Sequence, residues 1–398
     1  MIPVRGASDR SAKATDGASA PEIQPIRQRE YGLDWLRVIA FAILIGYHTG
    51  MYFVPWPWSV KNPVLSEWLT YPMLFLNRWR LPLLFFISGG GVWFNLNRRG
   101  YGRFMSDRFQ RLLVPLGFGM LVVIPPQIYV ERVLAGGHYS SYLAFWQTVF
   151  TSGSYPRGNL SWHHLWFLPY ILTFCVIALP LFAFLRSRAG RVAVDGLVRW
   201  CEIPGLIYLI AVPNLIVAWF LGPRWPSTMN LVSDWANFTS YFLTFLWGFL
   251  VCSSPQFIDL IERRRREYSI AATLMTLLLF AAHPGPLLAA LPPQPRRFAW
   301  ELISALLSVA MILALVGWSR ARLNRDSTAL RWATTAVYPF YIAHQTITVL
   351  LGYWWLGWNA PIAVKFPALV AGTILGSWLC FEAVRRTRVT RVLFGMKN

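Results

Sequence analysis

The chain has 398 residues, of which 56% are apolar, 16% aromatic and only 14% charged, and its mean hydropathy is +0.43. Soluble globular proteins carry about a quarter charged residues, so the composition excludes an ordinary soluble fold and predicts an all-α polytopic membrane protein. The net charge of +20 could suggest nucleic-acid binding, but the basic residues gather between apolar runs, so we expect no nucleic-acid partner.

Ten apolar runs are each long enough to cross a bilayer. They predict about ten transmembrane helices, at residues 33–54, 71–94, 112–134, 165–185, 201–221, 236–252, 268–291, 298–318, 332–356 and 362–384. Most of the 37 Lys and Arg residues fall in segments that are cytoplasmic if the N-terminus is cytoplasmic. This positive-inside pattern predicts two cytoplasmic termini and a multi-pass protein of the inner (cytoplasmic) membrane, embedded in the lipid bilayer.

Composition divides the chain into three segments. Residues 1–30 are polar and lack apolar periodicity, which predicts a disordered cytoplasmic tail. Residues 31–386 hold the apolar runs and form the integral-membrane domain, and residues 387–398 form a basic cytoplasmic tail. The four cysteines are scattered, which indicates neither a disulfide framework nor a metal cluster.

The stretch from Tyr31 to Phe53, which covers nearly all of the first apolar run, carries three ionisable side chains in one stripe. Arg37 and His48 differ by about 20° around a helix and by roughly 16 Å along its axis, and Asp34 lies within about 40° of His48. Ionisable groups inside a span normally mark a functional interior. A simpler alternative is a local ion pair between Asp34 and Arg37, with His48 bonded to a neighbouring helix.

A polar stripe that runs inward from the cytoplasm suits an extended substrate that is charged at one end. Coenzyme A has this shape, with phosphates at one end and a thioester at the tip of a flexible arm. Arg37 would meet the charged part or the arm, and His48 would meet the thioester. Because an imidazole is the commonest general base near neutral pH, His48 is the candidate base.

The second and third runs add three arginines and a serine. Arg80 is buried in the outer half of the second run and could bind a carboxylate, and the same run continues to Ser88 and three glycines. Glycines allow a backbone to approach a ligand or another helix closely. Arg108 and Arg111 begin the third run on one face, a spacing that suits phosphate binding, although ordinary positive-inside flanking is the alternative.

Polar residues also occur at the outer mouth and in the last two runs. The longest outer loop, residues 136–164, alternates aromatic and small polar residues and ends with Trp162 and His164. It is the candidate surface for a sugar, with an interfacial aromatic belt as the alternative. The adjacent His163 and His164 point to different faces, so we expect no metal site there. His344 lies at mid-membrane in the ninth run, and Glu382 lies near the depth of Arg37, with which it could pair.

Together these residues resemble the acyltransferase 3 family of integral-membrane acyltransferases. The stretches HLWFLPYIL (164–172), YPFYIAHQT (338–346) and LFG (393–395) look most like its subgroup that contains periodic-glucan succinyltransferases. The resemblance rests on Arg37-x10-His48, Arg80-x-Pro82 running to Phe86-x-Ser88-Gly89, Arg108-x-x-Arg111, Tyr341-x-x-His344, and Glu382 before a basic tail. It implies transfer of a short acyl group, acetyl or succinyl, from cytoplasmic acyl-CoA to a hydroxyl of an extracytoplasmic carbohydrate or glycolipid. Acyl-CoA would be a co-substrate, and no tightly bound cofactor is expected.

The residues fall into three expected roles. The catalytic set is His48, Arg37, Asp34 and Glu382; the acyl-CoA set is Arg108, Arg111, Arg37 and Ser88; the substrate set is Arg80, His344, His164 and Trp162. Direct transfer and a relay through an acyl-histidine both stay open. A membrane exporter of glycan or lipid is the alternative of another class, and a subunit without catalysis is a third.

Overall fold

The computed structural model describes residues 30–283 and 286–396. Within these ranges the chain is helical and contains no strand, and an isolated bridge between Ser154 and Leu160 is the only β-type pairing. The prediction of an all-α fold is therefore confirmed for the described part. The expected disordered tail lies outside the described residues, except for Glu30.

The first half of the chain forms nine of the described α-helices. They are α1 (Tyr31–Met51), α2 (Thr70–Arg98), α3 (Tyr101–Phe118), α4 (Pro125–Leu134), α5 (Tyr142–Thr151), α6 (Phe167–Ile177), α7 (Leu179–Arg186), α8 (Arg188–Cys201) and α9 (Ala211–Phe220). A π-helical turn, Gly119–Val123, joins α3 to α4. Short 3-10 turns, His163–Trp166 and Leu206–Ile210, lead into α6 and α9.

The second half of the described chain continues in the same way. Its helices are α10 (Trp235–Ser253), α11 (Pro255–Arg263), α12 (Arg265–Ala282), α13 (Pro286–Ala289), α14 (Pro293–Leu323), α15 (Thr328–Trp354), α16 (Ile362–Val384) and α17 (Arg388–Leu393). The last of these shows that part of the predicted basic tail is helical, and Phe394 packs on Phe118 of α3, with ring centroids 5.3 Å apart.

Four helical segments of the described chain are long and apolar enough to cross a membrane. They are Tyr101–Leu134, Trp235–Ser253, Pro293–Leu323 and Ile362–Val384, and α6 with α7 makes a fifth if a 53° bend between them is allowed. All five coincide with predicted spans. The other five predicted spans fall on helices that carry polar residues or are short, namely α1, α2, α9, α12 and α15. The count of ten and the location of both termini therefore stay predictions.

Glycine residues allow α2 and α10 to pack closely, and α1 packs against α2. Gly89 and Gly90 of α2 face α10, and Gly248 of α10 faces the backbone of Phe86, so the two helices approach without intervening side chains. Buried aromatic rings such as Phe85 and Phe174 fill the space beside this contact. α1 then packs against α2, α14, α15 and α16, which brings His48 next to α15 and Arg37 next to α2.

Candidate active site

His48, near the end of α1, contacts His344 of α15. The Nδ1 atom of His48 lies 2.9 Å from the Nε2 atom of His344, and the two rings are nearly parallel, with centroids 5.0 Å apart. His344 is only 1% exposed. The structure therefore joins two residues that the sequence analysis treated separately, although they are 296 positions apart.

The backbone of α15 determines which ring nitrogens carry hydrogen when both histidines are neutral. The Nδ1 atom of His344 lies 2.7 Å from the carbonyl oxygen of Tyr341 and 3.2 Å from that of Phe340. A carbonyl oxygen only accepts, so the Nδ1 atom of His344 is the donor and its Nε2 atom carries a lone pair. His48 must then donate from Nδ1, which leaves its Nε2 atom unprotonated. The geometry thus presents His48 Nε2 as a base.

A third histidine, His164, extends this row. Its ring meets the ring of His344 edge-on, with centroids 5.4 Å apart, and its Nε2 atom donates to the carbonyl oxygen of Ile342 at 3.0 Å. Its Nδ1 atom lies 3.4 Å from the amide nitrogen of Gln127, which also donates to Thr346 at 2.6 Å. Both nitrogens of His164 therefore have partners in the protein, and the residue bridges α4, α6 and α15.

Gln127 was missed by the sequence analysis. It is fully buried and links His164 to α15 through Thr346 and Gln345. A glutamine inside the apolar run 112–134 was a visible signal, because a buried amide needs hydrogen-bond partners.

Arg80 of α2 packs against Tyr47, the residue that precedes His48 in α1. Its guanidinium carbon is 3.4 Å from the centre of the Tyr47 ring, and that ring lies 6.0 Å from the ring of His48. Arg80 is 5% exposed, and in the described ranges no carboxylate lies within ion-pair distance of it. Its Nε atom also lacks a hydrogen-bond partner there. A buried guanidinium in this condition is suited to an anionic ligand.

At the opposite end of α1, Arg37 binds Asp34 with a distance of 3.3 Å, so the expected local ion pair is present. Gly91 of α2 faces the Arg37 guanidinium and leaves room for it. Glu382, which could have paired with Arg37, instead forms an ion pair with Arg385 at 2.6 Å. This pairing is favoured because Glu382 lies in the last turn of α16 and Arg385 follows it three residues later.

The two arginines expected to bind CoA lie on α3. Arg108 lies over the ring of Phe104, 5.1 Å from its centre, and the carbonyl oxygen of Arg111 accepts a hydrogen bond from Tyr338 at 2.8 Å. Over residues 30–283 and 286–396, neither guanidinium has a carboxylate within ion-pair distance. Both are therefore available to an anion. The hydroxyl of Ser88, by contrast, donates to the carbonyl oxygen of Leu84 in its own helix at 2.8 Å.

The outer loop is held in place by Trp162, whose indole nitrogen donates to the carbonyl oxygen of Met229 at 2.9 Å. Beyond α1, Lys61 donates to the carbonyl oxygens of Met51 and Trp56 at 2.5 and 2.9 Å, and so fixes the segment that follows His48. Burial lowers the pKa of Lys61 to about 8. In the described part of the chain, no three His, Cys, Asp or Glu side chains are grouped so as to hold a metal ion.

The described chain is all-helical, and four of its helical segments, or five with the bent pair, could cross a membrane. The chain belongs to the acyltransferase 3 family, whose domain model, described as "Acyltransferase domain", matches residues 30–382. It is therefore an acyltransferase and an integral membrane protein. Among its relatives are proteins named "Glucans biosynthesis protein C".

The relative from Salmonella paratyphi B is 23% identical over 336 residues, which cover 81% of this chain and 83% of the relative. The relative from Salmonella heidelberg is 22% identical over 333 residues, with the same coverage of both chains. No solved structure gives a significant match to the chain.

Proposed function

We propose that this acyltransferase lies in the cell inner (cytoplasmic) membrane and moves an acetyl or succinyl group from cytoplasmic acyl-CoA to a hydroxyl of an extracytoplasmic carbohydrate or glycolipid. The proposal is carried by the 2.9 Å contact between His48 Nδ1 and His344 Nε2, which leaves His48 Nε2 able to accept a proton. The similarity to relatives named for glucan biosynthesis supports a carbohydrate acceptor.

In this mechanism His48 Nε2 takes the proton of the acceptor hydroxyl while the hydroxyl oxygen attacks the thioester carbonyl carbon. The new C–O bond forms, the C–S bond breaks, and the proton passes from His48 to the departing thiolate of CoA. An acyl-histidine relay is the alternative form, in which His48 Nε2 itself attacks the same carbon. Both forms need the same lone pair, and therefore the same orientation of the His48 ring.

The arginines have separate roles in binding. Arg108 and Arg111 hold the phosphates of CoA, because neither is neutralised by a carboxylate in the described ranges. The Arg37–Asp34 pair lines the route of the arm toward His48. Arg80 binds the free carboxylate of a succinyl group. His164 and Trp162 act on the acceptor side by holding the outer loop against α15 and the segment at Met229.

A single assay tests the function. Purified full-length protein is incubated with acetyl-CoA or succinyl-CoA and candidate glucans, and free thiol and glucan esters are measured by colorimetry and mass spectrometry. We expect thiol release that depends on the glucan, with an equal amount of ester. Release of thiol without a glucan ester, or no release above a sample without protein, contradicts the proposal.

His48 is tested by two substitutions. A general base contributes typically 10²–10⁴-fold to rate, so His48→Ala should lower kcat by about that factor. His48→Gln keeps a hydrogen-bonding side chain but cannot accept a proton at neutral pH, so it should be as inactive as Ala. Substantial transfer by either variant, confirmed as folded and monodisperse, removes His48 from the mechanism.

The role of His344 is tested by two substitutions, one of which keeps a hydrogen-bond acceptor for His48 while the other removes it. His344→Gln supplies an amide oxygen to the Nδ1–H group of His48, whereas His344→Ala supplies nothing. Loss of ring orientation should lower kcat in the Ala variant by about 10²-fold with little change in KM. The Gln variant should recover part of that loss. Equal kcat in both variants would contradict an orienting role.

A further inference from the structure

A second group of reactive side chains lies where the outer loop packs against α4, and it does not include His48 or His344. The Oγ atom of Ser161 lies 2.7 Å from Nδ1 of His163. The Nε2 atom of the same imidazole lies 3.8 Å from Oε2 of Glu131. A serine, a histidine and a carboxylate therefore follow one another in the order that serine-type acyl transfer requires.

Neighbouring groups orient the carboxylate and the imidazole. Tyr155 donates its hydroxyl to Oε1 of Glu131 at 2.9 Å and meets the ring of His163 edge-on, with centroids 4.8 Å apart. Burial, together with Glu131, raises the pKa of Tyr155 to about 12, so the phenol remains a donor at neutral pH. The His163 side chain is 8% exposed, so its ring is enclosed by these partners.

The backbone adds an independent observation. His163 has a φ of 36°, a left-handed conformation that is uncommon for a residue with a side chain. Its own N–H group donates to Ser161 Oγ at 3.0 Å, which directs the serine hydroxyl toward the ring. Arg132 fixes the preceding loop by donating to the carbonyl oxygens of Pro156 and Gly158 at 2.7 and 2.9 Å. Strained residues that surrounding contacts hold in place cluster at active sites.

We propose that Ser161, His163 and Glu131 form a second catalytic site of the serine-esterase type, which acts on short-chain acyl esters. Ser161 Oγ attacks the ester carbonyl carbon, its proton moves to His163 Nδ1, and the C–O bond to the leaving alcohol breaks as that alcohol takes the proton. Water, or a sugar hydroxyl, then attacks the seryl ester, gives its proton to His163, and Ser161 regains a proton from His163. Glu131 positions the imidazole and stabilises it while it is charged.

This site goes beyond the transfer proposed at His48 and does not depend on it. The two are distinguishable, because the Ser161 site needs neither acyl-CoA nor the His48 lone pair. The alternative is that Ser161 Oγ only accepts the hydrogen bond from the backbone N–H group of His163. The contact would then be part of a local turn, and Ser161 would not act as a nucleophile.

The experiment uses full-length protein in detergent, a fluorophosphonate probe and p-nitrophenyl acetate. We expect the probe to label Ser161, located by peptide mass spectrometry, and the ester to be hydrolysed. Ser161→Ala should lose both signals. Glu131→Gln, which can still accept from Tyr155, should lower kcat at least about tenfold with KM little changed.

A matched control completes the test. Ser154→Ala, at an exposed serine of the same loop, should keep the label and the hydrolysis. An unlabelled Ser161 in folded wild-type protein, or full hydrolysis by Ser161→Ala, would overturn the proposal.

Discussion

Arg80 poses the sharpest electrostatic question at the scale of single residues. A buried charge without a partner is expensive, and proteins normally pair or neutralise it. The Tyr47 ring, 3.4 Å from the Arg80 guanidinium carbon, supplies some compensation through its π face. It leaves the planar donor fork of the guanidinium available for a carboxylate. A carboxylate on the acyl group would complete this arrangement.

Substitution of Arg80 should therefore change the preference between acyl donors. A hydrogen bond to a charged group contributes roughly 1.5–3 kcal/mol, so Arg80→Gln should raise KM for succinyl-CoA by about 10- to 100-fold. Acetyl-CoA has no free carboxylate on its acyl group and should be affected far less. Arg80→Lys keeps the charge but not the planar donor fork, so its KM for succinyl-CoA should lie between those of the wild type and of Arg80→Gln.

Arg78 provides the control for Arg80, because its guanidinium lies over the ring of Trp300 at 4.9 Å. Steady-state kinetics with both donors measure the effect. If Arg80→Gln changes KM for the two donors equally, or if Arg78→Gln alters the donor preference in the same way, then Arg80 does not bind the acyl carboxylate.

The individual site residues were only partly predictable. The shared stripe of Asp34, Arg37 and His48 follows from helical periodicity, and the Asp34–Arg37 ion pair follows from i,i+3 spacing. The contact between His48 and His344 could not be read from local patterns, since it depends on how α1 packs against α15. The same holds for Gln127, whose partners lie on two other helices.

At the scale of helices, the contact between α2 and α10 depends on glycine. A Cβ atom at Gly89 would clash with the carbonyl oxygen of Phe245, which belongs to a backbone that cannot move aside easily. Overpacking of this kind typically costs about 1–3 kcal/mol. Gly89→Ala should therefore lower the melting temperature and the yield of monodisperse protein.

Gly46 of α1 supplies the control, because a Cβ atom there meets nothing within 4 Å. Gly46→Ala should keep or slightly raise stability, since Ala is the better helix former by about 1 kcal/mol. Thermal unfolding followed by fluorescence and size-exclusion chromatography measures both variants. Equal stability of the two would show that the α2–α10 contact is looser than the structure indicates.

The middle of α3, where Arg108 and Arg111 lie, carries a prediction about donor binding. Replacing both Arg108 and Arg111 with Gln should raise KM for acyl-CoA, because two unneutralised guanidinium groups would no longer meet its phosphates. Binding of acyl-CoA to the wild-type protein should also weaken as ionic strength rises, since exposed charges are screened by salt.

A double substitution of Arg320 and Arg322 to Gln is the control for this prediction. It removes equal charge from the end of α14, where Arg320 is already paired with Asp259 at 2.8 Å. Unchanged KM in the α3 variant would assign Arg108 and Arg111 to membrane orientation alone.

The positions of helices were more predictable than whether each helix runs without a break. The predicted span 165–185 is present as α6 and α7, but it bends by 53°. Pro180 was the visible signal, because proline removes a helical hydrogen bond and disfavours helix in the residue before it. The predicted span 201–221 likewise divides into a 3-10 turn and α9 after Gly205, whose φ is 84°.

At the scale of the whole molecule, composition predicted the fold class because burial in lipid demands long apolar helices. It could not predict which polar helices cross the bilayer. α1 and α15 carry the paired His48 and His344, and neither helix is among the segments that length and composition identify as spans. The polar residues proposed for the site are thus the same residues that make these two helices hard to recognise as spans.

The charge distribution makes the last prediction, which concerns orientation. The clusters at Arg263–Arg266 and around Arg385 lie in segments expected on the cytoplasmic side together with both termini. A reporter phosphatase that is active only outside the cytoplasm should be inactive when fused after Asn398 and active when inserted at Gly153. A fluorescent protein that matures only in the cytoplasm should give the opposite pattern. Phosphatase activity after Asn398 would contradict the orientation, and it would also place Arg108 and Arg111 on the side of the membrane that lacks acyl-CoA.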